Sequence, residues 1–86
     1  MNDSMLKERR CQPPERWVRP DGTTVACTEK LKILHENWRE IHALVQDALD
    51  DAVLMGCTVK QVKQEYKRLI DEIECQYREQ RQSRRR

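Results

Sequence analysis

Residues 28–56 read TEKLKILHENWREIHALVQDALDDAVLMG, and the apolar spacing inside this stretch decides the fold. Leu31, Leu34, Trp38, Ile41, Val45, Ala48, Ala52 and Met55 follow one another at alternating steps of three and four. Such steps keep a stripe on one side of an α-helix, as in the seam of a coiled coil. Thr28 is a suitable N-cap, and Glu29 places a carboxylate in the first turn, where free backbone N–H groups favour it. Gly56 supplies the stop, because glycine takes the left-handed backbone conformation without a Cβ clash. The spacing predicts a helix over about 28–55.

Downstream, Thr58-Val59-Lys60-Gln61 matches the capping-box pattern that opens a helix. Val59, Val62, Tyr66, Leu69 and Ile73 repeat the same spacing, with Ile70 and Tyr77 widening one edge. The pattern stops at Tyr77, which predicts a second helix over about 59–78. The Gly56-Cys57 link is too short for anything but antiparallel neighbours. The fold class expected is therefore all-α, an antiparallel helical hairpin. Its core seam is predicted to be Leu34, Trp38, Ile41, Val45, Tyr66, Leu69 and Ile73.

Upstream the chain changes character. Residues 1–27 hold all three prolines (Pro13, Pro14, Pro20) and Gly22, which reads as an irregular N-terminal arm. Pro20-Asp21-Gly22 is a strong turn signal between β-forming neighbours, predicting a small β-hairpin with its turn at Asp21-Gly22. Two strands alone are marginal in water, so the arm is expected to lie against the helices with Trp17 as its anchor. Residues 79–86 are rich in arginine, lack an apolar pattern and read as a flexible tail.

With 86 residues, 37% apolar and 37% charged, the chain has room for one lean domain. Ala52 to Cys57 is the longest near-continuous apolar run, far short of the roughly 20 residues of a membrane span. The first residues lack the apolar stretch of a secretory signal. A transporter, a secreted precursor and a multidomain enzyme are excluded, and the expectation is a soluble cytoplasmic protein. The formal charge of +2 is unevenly spread: residues 28–56 carry a net −3 and residues 57–86 a net +4.

Candidate chemistry is sparse. Cys11, Cys27, Cys57 and Cys75 include no C-x-x-C pair, so a zinc site lacks the tight turn that fixes half of its tetrahedron. Cys57, beside the start of the second helix, is the thiol expected to be most reactive. His35 and His42 lie about 10 Å apart along one helix, too far to grip one ion from a single chain. Asp47, Asp50 and Asp51 read as a solvated face, lacking the Glu-x-x-His motif of di-metal bundles. No nucleophile elbow or phosphate-binding glycine loop is present. The expectation is a protein that is not an enzyme, with no cofactor, no metal and no catalytic residue.

Two functions remain. Leu44, Leu49, Val53 and Leu54 make the end of helix one apolar on more than one face, wider than one partner helix covers. This predicts a homodimer, a four-helix bundle with those residues at its interface, serving as an adaptor, regulator or assembly factor for an unidentified protein partner. The alternative is RNA or other nucleic-acid binding. There Arg16, Arg19, Arg78, Arg81, Arg84, Arg85 and Arg86 would contact phosphate, or else an acidic partner, because guanidinium forks match both geometries.

Overall fold

A computed structural model describes residues 12–79 of the chain. Two helices, α1 (Thr28–Leu54) and α2 (Val59–Glu72), pack against each other as a hairpin and carry the fold. Among the described residues, no helix is long and apolar enough to cross a membrane. These residues form two compact units. One holds the arm and α1 through His42, with Glu79; the other runs from Ala43 to Arg78.

In the first unit the chain turns back at Pro20-Asp21-Gly22. Gly22 N–H donates to the Arg19 carbonyl at 2.8 Å, and Arg19 N–H donates to the Thr23 carbonyl at 2.8 Å. Gly22 sits at φ +89°, where a side chain would strain the backbone. The predicted two-stranded hairpin is reduced to one antiparallel bridge, Val18 with Thr24. So short a pair has too few ladder bonds to stand alone. Its hold on the helix comes from Trp17, whose ring lies 6.3 Å from His35 and, edge-on, 6.2 Å from Trp38. The indole N–H of Trp17 is buried without a hydrogen-bond partner, a penalty that the ring contacts must offset.

The turn of the second unit follows from local chemistry. Gly56, at φ +107°, donates to the Val53 carbonyl at 3.0 Å, and Cys57 N–H donates to the Ala52 carbonyl at 3.0 Å. These two bonds form the Schellman ending of α1. Thr58 then caps α2 by accepting the Gln61 N–H on its hydroxyl at 3.1 Å. Ala48, Leu49 and Ala52 of α1 are half-buried, and among the described residues Val62 of α2 is the buried apolar side chain, 7% exposed.

The seam is not buried throughout. Leu34, Trp38 and Tyr66 are half-buried, whereas Ile41 and Val45 stand exposed. Exposure climbs along α2 from Val62 to Leu69 at 53% and Ile73 at 66%. A hairpin gives each helix one neighbour, and cover near the turn is confined to Val62 and Tyr66 of α2 with Ala48, Leu49 and Ala52 of α1, while Met55 and Val59, nearest the turn, stand exposed. The second helix also ends at Glu72, about six residues before the predicted end near 78. Ile73 is already extended, at φ −73° and ψ 131°, and a helix end with no packed face has little to hold it.

Candidate interaction surface

Within the unit Ala43–Arg78 the covered residues are Ala48, Leu49 and Ala52 of α1 and Val62 and Tyr66 of α2, which marks the side on which each helix meets the other. At roughly 100° per residue, and with the helices antiparallel, the remaining apolar residues fall on two flanks. One flank combines Leu49 and Val53 of α1 with Val59, Tyr66 and Ile70 of α2. The opposite flank combines Leu44 of α1 with Leu69 of α2. Leu54, 85% exposed, points away from both. Of the four predicted interface residues, Leu49 is half-buried in the hairpin, Val53 is 39% exposed and Leu44 is 69% exposed. The helix geometry thus places Leu49 and Val53 on one flank, Leu44 on the other and Leu54 on neither.

The rims differ in charge. Asp50 borders the first flank on α1, and Lys63 and Lys67 border it on α2. Beside the second flank, α1 carries Asp51, and α2 carries Glu65 and Glu72. Arg68 bridges those two glutamates at 2.7 Å and 2.9 Å. The lysines at the first rim are not legible in the spacing, and only the wheel of α2, set by the burial of Val62, reveals them.

The predicted phosphate-contact arginines serve the turn where they are described. Arg16 donates from Nε to Thr24 Oγ1 at 2.9 Å and from Nη2 to the Gly22 carbonyl at 3.3 Å. Arg19 donates to Thr23 Oγ1 at 3.2 Å and to the Thr24 carbonyl at 2.8 Å. Asp21 accepts from both the hydroxyl and the amide of Thr23, at 2.7 Å and 3.0 Å, and the hydroxyl above all holds its carboxyl below the ordinary value. Arginines a few residues before a Pro-Asp-Gly turn are the sequence signal for these bonds. Val18, Arg19, Pro20 and Glu79 line a shallow recess beside this turn. Arg78 is exposed, and Arg81, Arg84, Arg85 and Arg86 lie outside the described residues.

Among the described residues, no three His, Cys, Asp or Glu side chains gather as a metal site. Helix α1 starts one residue earlier than a Thr28 cap implies: Leu31 N–H donates to the Cys27 carbonyl at 2.9 Å, which makes Cys27 the N-cap. The Cys27 thiol is consequently pulled below its ordinary value, first by the Lys30 amide and then by that of Glu29. The thiol under this helix-start influence is thus Cys27.

No protein-family model matches the chain, and neither a curated protein nor a solved structure matches it.

Proposed function

We propose that the chain is a non-enzymatic protein–protein interaction module that works as a homodimer, two hairpins closing into a four-helix bundle. The carrying observation is the contrast between Val62, buried at 7%, and Val53, Val59 and Ile70, which stand exposed on one flank of the hairpin. A fully buried Val or Ile contributes about 1.5–3 kcal/mol, of which these side chains forgo roughly half in a single hairpin. In a four-helix bundle each helix has two neighbours, so the uncovered flank gains a partner. Such a module serves as an adaptor, regulator or assembly factor. A cytoplasmic setting fits Cys27, Cys57 and Cys75 as free thiols. Sedimentation tests the reading: the parent should be a dimer at about 50 μM, and Leu49→Glu a monomer, because a carboxylate buried in an interface without a partner is strongly destabilising. A parent that sediments as a monomer at that concentration refutes it.

A further inference from the structure

We propose that the second copy docks on the flank formed by Leu49, Val53, Val59, Tyr66 and Ile70, with Asp50 of each copy seated against Lys63 and Lys67 of the other. This rests on the dimer reading above and adds the face, the register and the polar contact that selects them.

A two-fold axis parallel to the helices leaves every residue at its own height. Each α1 therefore meets the α2 of the second copy at the same levels as its own α2. Reflected about the Met55–Thr58 turn, Asp50 comes level with Lys63, one helical turn from Lys67. Asp50 borders the flank on α1 and the two lysines border it on α2, so the rim contact joins opposite charges. On the other flank the same operation sets Asp51 near Glu65, acid against acid, and Arg68 is already held by Glu65 and Glu72. Like charges across an interface disfavour that alternative, so the charge pattern chooses the face. Among the described residues neither Asp50 nor Lys63 nor Lys67 takes part in an ion pair; Asp50 accepts from Gln46 Nε2 at 3.1 Å. The chain itself carries the complement of its own acidic rim, which points to a second copy as the occupant.

Charge reversal with mixing tests the contact in the full chain. Asp50→Lys alone and the double variant Lys63→Glu/Lys67→Glu alone should each dimerise about tenfold or more weakly than the parent, since each reversal acts twice in a two-fold dimer. An equimolar mixture should recover near-parental affinity. In that heterodimer the new lysine of the Asp50→Lys copy meets the new glutamates of the other, and the unaltered Asp50 meets the unaltered lysines. Circular dichroism checks that each variant keeps its helices. Should a reversal unfold the hairpin, Asp50→Asn and Lys63→Gln remove the attraction without adding repulsion and should each weaken the dimer several-fold. A parent dimer whose variants associate as tightly as it does, with no preference in the mixture, overturns the proposed face and leaves the dimer standing. A monomeric parent overturns both.

Discussion

Val62→Ala probes the point where the hairpin is closed. The substitution deletes two methyl-sized groups from the buried side chain of α2, which stands 7% exposed. At roughly 0.8 kcal/mol per buried group the transfer loss is about 1.6 kcal/mol, and incomplete collapse of the space adds to it. Alanine is the better helix former and returns about 0.5 kcal/mol. The expected net loss is about 1.5–2 kcal/mol, a large share of the margin of so small a domain. Urea melts followed by circular dichroism would measure it, at matched protein concentrations because a dimer's midpoint depends on concentration. Leu54→Ala is the control: that side chain is 85% exposed and lies on neither flank, so its loss should stay within about 0.5 kcal/mol. If Val62→Ala costs no more than Leu54→Ala, the two helices are not held together at Val62 and the packing argument fails.

The arm and the start of α1 carry three more expectations. Trp17→Ala removes the contacts with His35 and Trp38, so emission from the remaining Trp38 should shift to the red, while Trp17→Phe should largely preserve it; identical spectra would show that the arm is not anchored there. The Asp21 carboxyl is depressed, so its support for the turn is present above the ordinary carboxylate value and is lost as pH falls through the depressed one. Thr23→Val deletes the hydroxyl donor and should raise the Asp21 pKa in a carboxyl NMR titration; an unchanged value would mean that the hydroxyl is not the cause. Cys27 should be alkylated faster than Cys57 or Cys75 near neutral pH when sites are mapped by mass spectrometry, because its thiolate is favoured by the Lys30 and Glu29 amides. Equal rates at the three sites would remove that assignment.

The helices, the turn between them and the place where the arm reverses were all legible along the chain, because each is a local matter. The three-four spacing of Leu31 to Met55, the left-handed Gly56, the Thr58 cap and the Pro20-Asp21-Gly22 turn act within a few residues, through backbone geometry and neighbouring hydrogen bonds. Where helix α2 stops was less legible, because apolar residues continue to Tyr77 while the packing that sustains a helix ends near Glu72. Which seam residues are covered was a question for tertiary packing alone. Ile41, Leu69 and Ile73 share the spacing of Val62, yet burial depends on a second helix lying opposite, and spacing along one chain carries no measure of that distance. The same holds for the charges. Arg16 and Arg19 resemble Arg78 in sequence, but the turn folds carbonyls and hydroxyls within their reach and engages them. The rim of Asp50, Lys63 and Lys67 likewise becomes a feature only once the burial of Val62 fixes how each helix is rotated.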